Sequence, residues 1–154
     1  MNIGIIVHSQ SGHTYSVAEK FREKFSASGH TVTIERLKPI GDAYPGVKNL
    51  QLETYPDLTN YEGLILAAPV WAFNISPVLA AFLSQLSTLK GKKITAFVTM
   101  GFPFAWMGGN RAIAKLKEIC RAKGEIPAAT GVICRSGNDQ KALTNTVENF
   151  SKIY

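Results

Sequence analysis

The chain holds two cysteines and three histidines in 154 positions, and 11 acidic residues against 17 basic ones. Cys120 and Cys134 have neither metal-ligand spacing nor a partner cluster. That argues against a disulfide framework and a zinc site, and both are expected as small buried thiols. His8, His13 and His30 are scattered, so no metal is expected. Catalytic triads are defined by geometry and none can be assembled from sequence, so no catalytic residue is assigned. No apolar run approaches the roughly 20 residues of a membrane span. The N-terminus lacks the basic start and long apolar core of a signal peptide. A cytoplasmic protein with no membrane partner is therefore expected. The shortage of acid leaves a net charge of +6, a balance that can attract nucleic acid. The cations are dispersed, however. Lys90, Lys92 and Lys93 flank Gly91 in a turn, and Lys115, Lys117, Arg121 and Lys123 form the solvated face of a helix, so no nucleic acid is expected.

What is present starts with Ser9-Gln10-Ser11-Gly12-His13-Thr14. The apolar run Ile3-Gly4-Ile5-Ile6-Val7 precedes it and an amphipathic stretch follows, giving strand, hydroxyl-and-glycine loop, helix. Hydroxyls of Ser9, Ser11 and Thr14 can donate to a phosphate monoester, and Gly12 lets backbone amides approach it. The N–H groups and positive dipole end of the next helix face the same spot. The loop has no Gly-Lys-Ser/Thr and only one glycine, which excludes the Walker and dinucleotide fingerprints. The same letters also serve as turn and cap, and Ser16-Val17-Ala18-Glu19 is a capping box that would start the helix slightly later.

Strand and helix patterns alternate along the chain. Residues 15–28 put Val17, Ala18, Phe21 and Phe25 on one helical face, and Gly29 stops that helix. Residues 31–36 alternate as a partly exposed strand. Residues 63–68 read as a strand buried on both faces. Ser76-Pro77 opens a helix with Val78, Leu79, Phe82, Leu83 and Leu86 as its stripe. Strands at 94–99 and 128–134 and helices at 110–123 and 138–152 complete the series. Segment 37–61, rich in Pro and Gly, leaves at most a short helix at 48–55; such connections are often functional. The expected fold is α/β: one domain, 1–154, with a five-stranded parallel sheet and helices on both faces.

In such a sheet ligands bind beyond the carboxyl ends of the strands. The loops there are 9–14, 69–77 and 99–109. Pro69-Val70-Trp71-Ala72-Phe73-Asn74 offers a Trp and a Phe for a flat ligand, or for packing on the following helix. Residues 100–109 hold three aromatics, two methionines and three glycines. So apolar a loop should be covered, as a lid over a substrate or as a homodimer contact.

Together these features resemble the flavodoxin-like family, in particular its short FMN-binding members related to NAD(P)H-dependent flavin and quinone reductases. Residues 9–14 match the family's S/T-x-S/T-G-x-T phosphate loop, and Pro69-Val70-Trp71 followed by Ser76-Pro77 looks like its second flavin loop. The resemblance implies a flavodoxin-like three-layer sandwich with its five strands in order 2-1-3-4-5. It implies FMN, with its phosphate on Ser9, Gln10, Ser11, Gly12, His13 and Thr14. The ring would lie between Pro69, Val70, Trp71, Ala72, Phe73 and Asn74 and the segment Thr99, Met100, Gly101 and Phe102. It further implies transfer from NAD(P)H to a quinone, flavin or similar planar acceptor; the alternative is an electron carrier served by a redox partner protein. Electron carriers of the family are usually acidic and often have Gly in the second loop, where a peptide can flip toward the half-reduced flavin. This chain is basic, and Ala72-Phe73-Asn74 makes the flip harder.

Overall fold

The computed structural model describes residues 1–102, 104–135 and 139–154, with Asp139 described by its backbone alone. The order is β1 (Asn2–Val7), α1 (His13–Ala27), β2 (Thr31–Arg36), β3 (Gly63–Trp71), β4 (Asn74–Ile75), α2 (Pro77–Gln85), β5 (Lys93–Met100), α3 (Gly109–Ala122), β6 (Ala129–Cys134) and α4 (Asp139–Ser151). The sheet runs β2-β1-β3-β5-β6, all parallel, and the two-residue β4 pairs antiparallel with the end of β3. The main order is the expected one; β4 is the addition. The expected start of the last helix at Asn138 lies outside the described residues.

Alternation along the central strands divides the core in two. Ile3, Ile5, Val7, Ile65, Ala67 and Phe97 face α1 and α4, where they meet Val17, Ala18, Phe21, Phe25, Leu143 and Phe150. Phe21 stacks on Phe97 at 4.7 Å with planes 6° apart. Ile6, Leu64, Leu66, Ile94, Ala96 and Val98 face the other way, onto Val78, Leu79, Phe82 and Leu83 of α2 and Ile113, Leu116 and Cys120 of α3. Burying both faces explains why these strands read as continuous apolar runs.

Local chemistry sets the helix ends. Ser76 caps α2, its Oγ accepting from Val78 N at 3.2 Å, and Pro77 takes the first helical position. The Ser16–Glu19 capping box does not form. α1 starts three residues before Ser16, whose hydroxyl instead donates back to His13 O at 2.8 Å. Residues 37–62 contain no helix among the described residues. An antiparallel bridge joins Pro39 to Leu52, flanked by Ile40 N to Gln51 O and Glu53 N to Lys38 O, both 2.8 Å. Leu37, Leu52 and Leu58 are buried in the core, so this strap is packed although it is irregular. Lys92 Nζ holds its far end, donating to Leu58 O and Tyr61 O at 2.7 and 2.8 Å. Cys120 is buried, and burial pushes its thiol up to about 12; Cys134, expected to be buried, is only half-buried. Among the described residues no helix is long and apolar enough to cross a membrane.

Candidate functional site

At the carboxyl ends of β1, β3 and β5 the three loops close on a small cleft of about 120 Å³. Nine of the residues expected at the site line it: Ser11, His13 and Thr14 from the first loop, Pro69, Val70 and Trp71 from the end of β3, and Thr99, Met100 and Gly101 from the end of β5. Arg135, just past β6, is the tenth lining residue. Sequence reading missed it, although a basic residue at the carboxyl end of the last strand was the signal to look for. Its backbone N–H donates to Met100 O at 2.7 Å, which fixes the chain beside the cleft.

The first loop is built around Ser9. Its Oγ accepts from Gly12 N at 3.1 Å and from Tyr15 N at 3.2 Å, so among the described residues its own proton is left to donate. Gly12 caps α1 with φ 93°, and no atom lies within 4 Å of the position a Cβ would take. The approach to the helix N-terminus is therefore open. Thr14 differs from the expected free donor. It is buried and shares a 2.7 Å hydrogen bond with Thr99, which ties the loop to β5. Gln10 is exposed and, with Ser9, faces a neighbouring cavity instead of the cleft.

The second loop is a hairpin. Val70 pairs with Ile75 and Trp71 with Asn74, leaving Ala72 and Phe73 as a two-residue turn with φ 50° and 61°. Both residues at positive φ give the twist that suits a tight hairpin, normally supplied by Asn-Gly. Here two ordinary side chains hold it at a cost of about 1–2 kcal/mol each. Asn74 Oδ1 accepts from its neighbour Ile75 N at 2.8 Å, so this side chain turns back on the hairpin.

The third loop docks on that hairpin through Gly108, which has φ 118°. A Cβ there would come within 3.0 Å of Phe73 Cα and 3.2 Å of Val70 Cγ1. Phe73 and Phe102 stack with planes 1° apart and centroids at 6.1 Å, and Phe104 stacks on Trp106 at 6.1 Å. All four rings are exposed, Trp106 at 73%. Pro103, part of the expected aromatic loop, lies outside the described residues.

Just past the end of β1, His8 is buried beside the neighbouring cavity. Its Nδ1 lies 2.7 Å from Ser76 Oγ. Burial, helped by the charge of Arg36, lowers its pKa from 6.5 to about 4. It is a neutral imidazole at ordinary pH. No group of three or more His, Cys, Asp or Glu placed to hold a metal occurs among the described residues.

A singly reversed parallel sheet with its ligand loops at the reversal point defines an α/β protein of flavodoxin-like architecture. The model of the NADPH-dependent FMN reductase family matches residues 1–133, and the chain belongs to that flavodoxin-like, FMN-binding family. Solved structures share the fold at low identity. Flavodoxin 2 from Bacillus cereus superposes with a TM-score of 0.71 at 18% identity, over 100% of both chains. A flavoprotein from Lactobacillus acidophilus NCFM, solved with FMN, gives 0.68 at 15% identity, over 94% of this chain and 97% of its own. A flavodoxin from Streptococcus pneumoniae TIGR4 gives 0.69 at 14%, over 99% of each chain. No curated protein matches the sequence.

Proposed function

We propose that the protein binds FMN in this cleft and acts as an oxidoreductase, taking hydride from NADPH and reducing a quinone, a flavin or a similar planar acceptor. One observation carries the reading: residues from loops 9–14, 69–74 and 99–102 line one cleft, with the start of α1 on one side and Trp71 on the other. Bound FMN would supply the redox chemistry, and the chain supplies binding, orientation and electrostatics. The Ser11 hydroxyl and the start of α1 would hold the phosphate. Trp71 would bound one side of the ring and Thr99–Phe102 the other. The cleft is far smaller than the roughly 300 Å³ at which enclosing sites begin. The ring would therefore be only partly enclosed and would rest along the exposed Phe73–Phe102 pair. Arg135 brings positive charge to the rim, which suits an anionic reduced flavin.

Visible spectra of the purified protein before and after adding FMN test the binding, and NADPH oxidation with a quinone tests the reaction. A colourless protein that gives no bound state on FMN titration would sink the reading. The exposed Phe104–Trp106 pair also suits a docking face for a redox partner. A holoprotein that turns over nothing alone, and is reduced only through a partner reductase, would make it an electron carrier.

A further inference from the structure

A second, larger cavity of about 570 Å³ lies on the other side of the first loop, within the size range of small-molecule sites. Ser9 and Gln10 form one wall. Arg36 at the end of β2, with Lys38, Asp42 and Tyr44 of the irregular strap that follows, forms the other. The flavin reading leaves this strap without a role. We propose that the cavity takes the adenosine end of NADPH, with the 2′-phosphate on Arg36 and Lys38; this rests on the NADPH reading above.

Charge and order both support it. Two cations face one carboxylate. Arg36 is held in place: its Nη2 donates to Ser9 O at 2.8 Å, and its guanidinium sits 4.9 Å from the centre of the Tyr15 ring. Its remaining N–H groups keep the planar fork that matches phosphate. Lys38 leaves from backbone fixed by the Pro39–Leu52 bridge, and its side chain is exposed. Tyr44, 56% exposed, offers a flat ring at the rim for adenine. Asp42 can accept from ribose hydroxyls. The cavity and the cleft share loop 9–14 as their partition, since Ser9 and Gln10 face one and Ser11 and His13 the other. A dinucleotide laid over that loop reaches both.

The test compares kcat/KM for NADPH and NADH in the FMN-loaded wild type and in Lys38→Gln. Losing one charge-assisted contact should lower the preference for NADPH by about tenfold. 2′,5′-ADP should compete with NADPH in the wild type and about tenfold less well in the variant. An unchanged preference with no competition would overturn the proposal. So would a drop in FMN affinity in Lys38→Gln, because the cavity would then hold the flavin phosphate. Calorimetric titration with 2′,5′-ADP needs no turnover and separates the two readings. Binding that weakens about tenfold in Lys38→Gln upholds the site even if no nicotinamide is oxidised. No binding to the wild type removes the site even if NADPH is consumed.

Discussion

His8 and Trp71 meet edge to face, their ring centroids 5.1 Å apart and their planes at 85°. Ser76 Oγ, which accepts from Val78 N, also lies 2.7 Å from His8 Nδ1, and either of these two atoms can donate. One buried histidine thus joins the end of β1, the cap of α2 and the aromatic wall of the cleft.

The pH dependence of stability follows from the burial of His8, helped by the charge of Arg36. The folded pKa of His8 is about 4, below the ordinary 6.5. Between these values the unfolded chain binds a proton that the folded one rejects. The contribution is therefore complete above pH 6.5 and is lost as the pH falls toward 4, at a total of about 3 kcal/mol. Urea midpoints from pH 4 to 7 should show this slope, and His8→Gln should flatten it. Equal slopes in the two proteins would mean that another group governs the acid limb.

FMN should bind much more tightly than riboflavin, because riboflavin's uncharged tail cannot use the Ser11 hydroxyl and the start of α1. Each charge-assisted hydrogen bond to phosphate contributes about 1.5–3 kcal/mol. Gly12→Val should abolish the difference by placing a branched side chain, at a disallowed φ, in the open approach. Fluorescence titration with both flavins checks this, and equal affinities in the wild type would remove the phosphate site.

Ala72→Gly should raise stability by about 1 kcal/mol. It relieves the left-handed strain, less the extra unfolded-chain entropy of glycine. Flipping the central peptide of this turn would give the type II′ form, whose first position belongs to glycine. Stepwise reduction of the FMN-loaded wild type is thus expected to show little long-wavelength absorbance, and the variant more. A strong blue species in the wild type would favour the electron carrier.

Gly108→Ala should cost about 1–3 kcal/mol, since its Cβ would meet Phe73 Cα, a backbone atom that cannot swing away. Urea unfolding would register it as a lower midpoint at constant slope. An unchanged midpoint would show that the contact between the second and third loops is loose.

Trp71→Ala should mainly weaken FMN, by about 1–3 kcal/mol for the loss of a large apolar contact. Trp106→Ala, which removes an exposed ring, should leave FMN affinity nearly unchanged and raise KM for a planar acceptor. Sedimentation of Trp106→Ala supplies the contrary case: a shift from dimer to monomer with unaltered acceptor kinetics would make residues 100–109 an interface.

The sheet was legible because its central strands are buried on both faces and its helices carry one apolar stripe each. The first loop was legible because glycine and hydroxyls between a strand and a helix leave few alternatives. The β3–β4 hairpin was not, since Ala72-Phe73 carries no turn signal and adopts positive φ only under the packing of Gly108 and the pairing of Trp71 with Asn74. Nor was the burial of Thr14, which depends on Thr99, or the place of Arg135. Those contacts join residues far apart in the chain, and no local pattern encodes them. The Ser9 hydroxyl, accepting from the Gly12 and Tyr15 amides, holds the start of α1 at His13, ahead of the Ser16 capping box.

The bond between Thr14 and Thr99 spans 85 positions. It cannot form until β1, β3 and β5 lie side by side, and parallel neighbours require crossovers that are slow to close. Refolding should therefore regain helical signal before it regains the capacity to capture flavin. Quenching of added FMN fluorescence would then serve as a clock for the last stage of assembly, with Thr99→Val and Thr14→Val delaying it alike and more than changes on the exposed face of α1.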